Sequence, residues 1–167
     1  MSLIPFEQLP DHSRLWIFPA DRVLTAAEKE RLIQVVTEGL SEWVAHGSPV
    51  RWGHQVLHDQ FLMIAVDETH TSLTGCSIDS GIAQIRLLEK ELEMSFLDNA
   101  RVFFRDGEAI RCEARPDFRR LAEEGKVDGD TIVFNNVVTT LAELRREEWE
   151  IPVRDSWHAK AFPVAAE

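Results

Sequence analysis

Phe61-Leu62-Met63-Ile64-Ala65-Val66 is a run of six apolar residues in the middle of the chain. A short, continuous apolar run is typical of a strand that is covered on both faces. The preceding stretch 50–57 alternates loosely between apolar and polar residues, and the link His58-Asp59-Gln60 that joins the two is short. We therefore predict an antiparallel hairpin at the centre of a sheet.

A helix is predicted on each side of this hairpin. Thr25-Ala26-Ala27-Glu28 has the form of a capping box, in which the Thr25 hydroxyl accepts from the Glu28 amide and the Glu28 carboxylate reaches back. The apolar residues that follow recur at helical spacing, and Gly47 suits the helix end. After the hairpin, a second helix is indicated by one apolar face, formed by Ile78, Ile82, Ile85, Leu88 and Leu92.

The C-terminal half repeats these signals. Asp106-Gly107 lies between two apolar runs and predicts a second hairpin, because both residues tolerate a positive φ. Pro116 suits the first turn of a third helix that ends at Gly125. A strand is predicted over 131–134. A second capping box, Thr140-Leu141-Ala142-Glu143, predicts a fourth helix that runs to about Trp149.

The order of these elements, with a strand at 15–18, is β-α-β-β-α-β-β-α-β-α. It predicts an α+β fold, a two-layer α/β sandwich with a mainly antiparallel sheet. The first six elements have the order of a ferredoxin-like unit, and the rest form a C-terminal β/α elaboration. We expect residues 1–14 to be an N-terminal extension and residues 15–167 to form a single domain.

Composition restricts the classes of function. The 167 residues carry a formal net charge of −11, which disfavours non-specific binding to nucleic acids. Neither a signal peptide nor an apolar stretch of membrane-spanning length is visible in the sequence. The two cysteines form no paired motif, so no disulfide framework is expected. We predict a cytoplasmic protein that has no contact with the membrane.

The run Gly75-Cys76-Ser77-Ile78-Asp79-Ser80 places a thiol at the predicted start of the second helix. The positive end of a helix dipole favours the thiolate, so Cys76 is a candidate nucleophile. It would need a base, for which His46 and His158 are candidates, and Asp79 or Asp67 could orient the imidazole. The alternative is structural, with Cys76 as a small packed side chain and Ser77 or Asp79 as the helix cap.

The same run could instead hold a small anion through its amides and through Ser77 and Ser80, with Asp67 beside it. It contains a single glycine and is not a Walker A motif, so P-loop hydrolysis of ATP is not predicted. Asp67, Glu68, His70 and Asp79 could bind a hard cation or, with Cys76, a softer one, but their spacing matches no zinc pattern, and we expect neither a metal nor a cofactor.

Two further motifs stand near the C-terminus. Ser156-Trp157-His158 is followed by apolar residues, which predicts that this tail docks onto the body of the protein. Asn135-Asn136 follows a strand and is typical of a turn. Cys112 alternates with Ile110 on a strand and is most simply a core residue.

Several motifs together resemble a small, functionally uncharacterised bacterial family from the Bacteroidetes and their relatives, whose members are often labelled "ABC transporter ATPase". These motifs are Trp16-Ile17-Phe18, Ala45-His46-Gly47, Val66-Asp67-Glu68, Gly75-Cys76-Ser77-Ile78-Asp79, Phe134-Asn135-Asn136 and Ser156-Trp157-His158. The resemblance implies a compact cytosolic bacterial protein and supplies no catalytic residues. The label requires Walker motifs, which this sequence lacks.

Taken together, these patterns favour a non-catalytic module that binds a partner protein or a small anionic ligand. The alternative function is a cysteine-dependent hydrolase or acyl transferase that uses Cys76. A homodimer is also a possibility, since an exposed sheet edge could pair with another copy.

Overall fold

The computed structural model describes residues 2–41, 44–45, 48–70, 73 and 75–165. Its contacts divide the chain into two compact units. Unit 1 comprises residues 1–97 and 139–142, and unit 2 comprises residues 98–138 and 143–167. Each unit combines helices with a mainly antiparallel sheet, which confirms the α+β fold class. The single domain expected over 15–167 stays a prediction.

The elements of unit 1 are β1 (Ser2–Leu3), a 3₁₀ turn (Phe6–Gln8), β2 (Arg14–Pro19), α1 (Ala26–Ser41), β3 (Val44–Ala45), β4 (Ser48–Pro49), β5 (Arg51–Leu57), β6 (Phe61–Asp67) and α2 (Gly75–Leu92). Those of unit 2 are β7 (Arg101–Asp106), β8 (Ala109–Ala114), α3 (Arg115–Glu123), β9 (Ile132–Phe134), β10 (Glu150–Pro152), a second 3₁₀ turn (Val153–Asp155) and α5 (His158–Ala161), while α4 (Leu141–Arg145) begins in unit 1 and ends in unit 2.

The sheet of unit 1 has the strand order β1-β5-β6-β2. The predicted hairpin is confirmed, with Leu57 opposite Phe61 at its closed end. His58 and Asp59 turn the chain with φ of 53° and 51°, a conformation that a short polar side chain such as Asp59 tolerates. Every residue of β6 is buried, as the apolar run predicted.

The strand pairing departs from a single ferredoxin-like sheet. The elements follow the predicted order along the chain, but β7 lies in the sheet of unit 2, between β8 and β9. The tight turn at Gly107 supplies β8 on one side of β7, and β9 occupies the other side. In unit 1, β2 runs antiparallel to β6. The ferredoxin-like likeness is therefore one of element order.

Both helices of unit 1 pack on one face of its sheet. The capping box forms as predicted, with the Thr25 amide donating to the Glu28 carboxylate over 2.9 Å and the Glu28 amide donating to the Thr25 hydroxyl over 3.2 Å. The core of this layer joins residues of α1, α2, β5 and β6, and these include Leu32, Val36, Leu40, Trp52, Leu62, Ile64, Val66, Ile85 and Leu88. Burial of this apolar surface is the main force that holds the helices to the sheet.

The described residues 2–13 of the predicted N-terminal extension pack against the rest of unit 1. β1 pairs in parallel with the start of β5, and the side chains of Phe6 and Leu9 are buried. Gly53 allows this segment to lie close, because a Cβ atom at that position would stand 2.8 Å from the carbonyl oxygen of Ile4. The prolines at 5 and 10 break regular structure here without preventing packing.

Unit 2 is built on the sheet β10-β9-β7-β8. Asp106 pairs with Ala109 across a two-residue turn, and Gly107 has φ of 62°, so the second hairpin is confirmed. α3 begins with a proline in its first turn, and Gly125 follows its end with φ of 69°. Phe118 of α3 is fully buried and contacts the ring of Phe104 at 5.2 Å between centroids.

The fourth helix is shorter than predicted. α4 ends at Arg145, and Glu147 then takes a positive φ of 60°. This change of direction brings Trp149 out of the helical path, and its buried ring lies 5.0 Å from that of Phe134. The predicted docking of the C-terminal tail is confirmed within unit 2, where Phe162 joins the core.

Candidate functional site

The run Gly75–Ser80 lies inside the first turns of α2, because the helix already begins at Gly75. Ser77 is half-buried, whereas Asp79 and Ser80 are exposed. The described residues do not include the side chain of Cys76 or residue 74, so the predicted cap and the predicted thiol site stay predictions. Ile78, in the same run, packs against the core of unit 1.

Of the two candidate bases, only His158 is among the described residues. His46 lies outside the described residues. His158 belongs to unit 2, whereas Cys76 belongs to unit 1. The role of either histidine beside Cys76 therefore stays a prediction.

The side chain of His158 is buried within unit 2. Its imidazole is 1% exposed and stacks on Trp157, with 3.9 Å between ring centroids. Its Nδ1 lies 2.9 Å from the Ser156 hydroxyl, which also donates to the carbonyl oxygen of Val153. Burial, together with the positive charge of Arg115, lowers the pKa of His158 to about 4. The side chain is thus a neutral core ring at neutral pH.

Asp67 is the last residue of β6, and its buried carboxylate binds side chains from several segments of unit 1. It accepts hydrogen bonds from the amide of Thr69 over 3.0 Å, from the hydroxyl of the same residue, and from His12 Nε2 over 3.2 Å. Arg51 lies 3.6 Å away. Burial acts to raise the pKa of Asp67, but the bonds from Thr69 and His12 outweigh it and hold that pKa below its usual range.

The partners of Asp67 explain its place in the fold. His12 comes from the N-terminal segment and Arg51 from the start of β5, so the carboxylate ties three separate parts of unit 1 together. Its oxygens are already occupied by these donors, which leaves the ligand-binding role of Asp67 as a prediction without added support.

An apolar pocket opens in unit 1 between the helix pair and the sheet. Its cavity volume is about 20 Å³, and the empty space between its walls reaches about 380 Å³ only when open solvent is counted, so the interior is narrow. β2 and β6 supply one wall and α1 and α2 supply the other. The described lining residues are Trp16, Phe18, Val36, Leu40, Ile64, Ile78, Gly81, Ile82, Gln84 and Ile85, and only the Gln84 amide and the Trp16 indole N–H are polar side-chain groups.

A cation lies over Trp16, one of the aromatic residues that line this pocket. The guanidinium carbon of Arg14 lies 4.5 Å from the centre of the Trp16 ring. Arg14 and Trp16 are two residues apart on β2, so their side chains leave the same face of the strand. Arg14 is exposed, and among the described residues it has no carboxylate within ion-pair distance. Trp16 and Phe18 are only half-buried, which leaves the apolar wall open to a ligand.

Sequence reasoning did not find this pocket. The motif Trp16-Ile17-Phe18 was visible, and the alternation of Arg14, Trp16 and Phe18 on one strand face was available as a signal. The opposite wall comes partly from the apolar face of α2, which served only to predict the helix from the sequence.

Three properties of the chain bear on its class. The comparisons with known proteins give no match to a family model, a curated protein or a solved structure. The resemblance to a small bacterial family therefore stays a prediction. Within the described ranges, no helix is both long and apolar enough to cross a membrane. The same ranges contain no group of three His, Cys, Asp or Glu side chains placed to hold a metal ion.

Proposed function

We propose that the protein is a non-catalytic, cytoplasmic binding module whose pocket in unit 1 takes a slender apolar anion, such as a straight-chain carboxylate. The observation that carries this proposal is a narrow apolar pocket with an arginine held over Trp16, one of its lining rings. Apolar pockets with few polar groups are the usual form of small-molecule sites.

The apolar lining favours a hydrocarbon chain over a polar metabolite. A buried methylene contributes about 0.8 kcal/mol, so each added carbon strengthens binding roughly fourfold until the pocket is full. The narrow interior between Trp16 and Ile82 suits a single chain better than a ring system. The side chain of Gln84 could hydrogen-bond to a polar atom near the chain.

Arg14 supplies the preference for an anion. A guanidinium presents donors in a fork that matches the two oxygens of a carboxylate. Because Arg14 already lies against Trp16, part of the entropy cost of ordering its side chain is met before a ligand arrives. We expect a carboxylate to bind about tenfold more tightly than the alcohol of equal chain length.

The test is calorimetric titration of the full chain with straight-chain carboxylates from butanoate to decanoate and with the matching alcohols. We expect affinity to rise with chain length and to favour carboxylates. Arg14→Gln should remove the preference for carboxylates while keeping the dependence on chain length. Arg86→Gln removes another exposed positive charge of the same unit and should change neither property.

A second pair of variants tests the pocket itself. Ile82→Trp fills the space between α2 and β2 and should weaken binding of octanoate at least tenfold. Leu87→Trp places the same ring on an exposed position of the same helix, where Leu87 is 61% exposed, and should leave binding unchanged. Absence of saturable binding by every carboxylate, or equal binding by all four variants, would contradict the proposal.

A cysteine-dependent hydrolase or acyl transferase is the second candidate. The observation in its favour is that Cys76 lies in the first turn of α2, where the helix dipole lowers the pKa of a thiol. Alkylation by iodoacetamide, followed by peptide mass mapping, separates Cys76 from Cys112. A rate for Cys76 at pH 7 no faster than that of free cysteine would rule out an activated nucleophile.

A further inference from the structure

The free edges of the two four-stranded sheets differ in how they are protected. In unit 1, β1 is two residues long, and β2 is bordered at its start by residues 139–142 and ends in Pro19. In unit 2, β10 is three residues long and also ends in proline. Short strands and prolines are common ways to prevent pairing between sheet edges.

β8 lacks these protections. It is six residues long, contains neither proline nor lysine, and pairs with β7 in a continuous register without a bulge. β7 is its only strand neighbour in the described part of the chain. All residues from Ile110 to Ala114 are partly exposed. β8 is therefore the edge at which another strand can be added.

The hairpin register fixes which backbone groups of β8 face outward. The two-residue turn makes Asp106 and Ala109 a hydrogen-bonded pair, and such pairs alternate along an antiparallel ladder. Ala109, Arg111 and Glu113 therefore point their amide and carbonyl groups toward β7. Ile110 and Ala114, with Cys112 between them, point theirs away from it.

We propose that β8 pairs with β8 of a second copy of this chain, antiparallel about a two-fold axis at Cys112. In this register Ile110 lies opposite Ala114 of the other copy, which aligns the outward backbone groups. Arg111 then lies opposite Glu113 of the other copy, and the symmetry makes this contact twice. The two Arg111–Glu113 pairs are non-hydrogen-bonded pairs of the new ladder, in which opposite side chains lie closest together.

Charge complementarity distinguishes a second copy from an arbitrary strand. Arg111 and Glu113 lie on one face of β8, with opposite charges two residues apart. Arg111 is already held over the ring of Phe104, 5.2 Å from its centre, and 2.7 Å from Glu113. Pairing about Cys112 places the Glu113 carboxylate of the second copy opposite Arg111, in addition to Glu113 of the same chain. No two side chains of like charge then lie directly opposite each other. This inference does not rest on the pocket.

Sedimentation equilibrium of the full chain over a wide concentration range tests the dimer. One pair of five-residue segments buries little area, so we expect a reversible dimer of micromolar affinity or weaker. Arg111→Glu or Glu113→Arg alone should weaken dimerisation at least tenfold. The double variant with both changes should restore it, because the opposite charges meet again. Arg120→Glu on α3 is the control and should leave the dimer intact.

Two measurements keep the test independent of folding defects. Ile110→Pro removes an outward amide and no bond to β7, so it should yield a folded monomer by circular dichroism. In a Cys76→Ser background, a short bismaleimide should link Cys112 to Cys112 of the second copy. A chain that is monomeric at every concentration, a dimer that survives Ile110→Pro, or a dimer that is not linked through Cys112 would each overturn the proposal.

Discussion

At the scale of single residues, His158 shows how burial sets the charge of a side chain. Its ring is enclosed by Trp157, Phe118 and Phe162, whose ring centroids lie 3.9, 6.2 and 6.3 Å away. A charged imidazole would lose its hydration in this environment, and the positive charge of Arg115 would oppose it further. The fold therefore stabilises the neutral form.

The lowered pKa of His158 predicts a loss of stability in acid. The unfolded chain binds a proton below the ordinary imidazole pKa of 6.5, whereas the folded chain binds it only near 4. The contribution to stability is complete above pH 6.5 and falls as the pH drops toward 4, by up to about 3 kcal/mol. Between pH 7.5 and 5.0, urea unfolding should show the parent losing about 2 kcal/mol more than His158→Phe. Equal losses in the two proteins would contradict this assignment.

At the scale of elements, the start of α1 combines a capping box with an ion pair. Arg22 contacts the Glu28 carboxylate at 2.7 Å, and the same carboxylate accepts from the Thr25 amide. The hydrogen bond from Arg22, with that from the Thr25 backbone, lowers the pKa of Glu28 to about 2. The carboxylate is thus charged at neutral and at mildly acidic pH.

Removal of the cap should weaken this helix without changing the rest of unit 1. We expect Thr25→Ala to lower the free energy of unfolding by about 1 kcal/mol, because the Glu28 amide loses its acceptor. Thr37→Ala, in the interior of the same helix, serves as the matched control for loss of a threonine. Hydrogen exchange of the amides of residues 26–29 should quicken in Thr25→Ala and stay unchanged in the control.

At the scale of the whole molecule, local signals were the part that sequence reasoning recovered. The capping box at Thr25 and the turn at Gly107 depend on neighbouring residues, so their patterns predict them directly. The pairing of β1 with β5 and the tie from His12 to Asp67 join residues that are far apart in sequence, and no local pattern encodes them. The pocket beside Trp16 also depends on contacts between residues far apart in sequence, because four elements supply its walls.

The N-terminal segment offers a test of such long-range packing. Phe6 and Leu9 are buried, and Ser13 is fully enclosed. Deletion of residues 2–9 should therefore destabilise unit 1 by several kcal/mol, because it removes two buried apolar side chains and the β1 pairing. Leu3→Ala, at an exposed position of the same segment, should have little effect on thermal unfolding. A truncated chain as stable as the parent would show that residues 2–9 are dispensable.

The return of residues 139–142 to unit 1 has a consequence for biosynthesis. The Leu15 amide donates to the carbonyl oxygen of Thr139 over 2.7 Å, and the Leu141 amide donates to that of Ser13 over 3.1 Å. A ribosome delivers these partners only after residues 98–138 have left the exit tunnel. The start of β2 therefore cannot form these two hydrogen bonds until residues 139–141 have emerged from the ribosome. A nascent chain stalled before residue 139 should expose Leu15 and the strand beside it to proteases and chaperones.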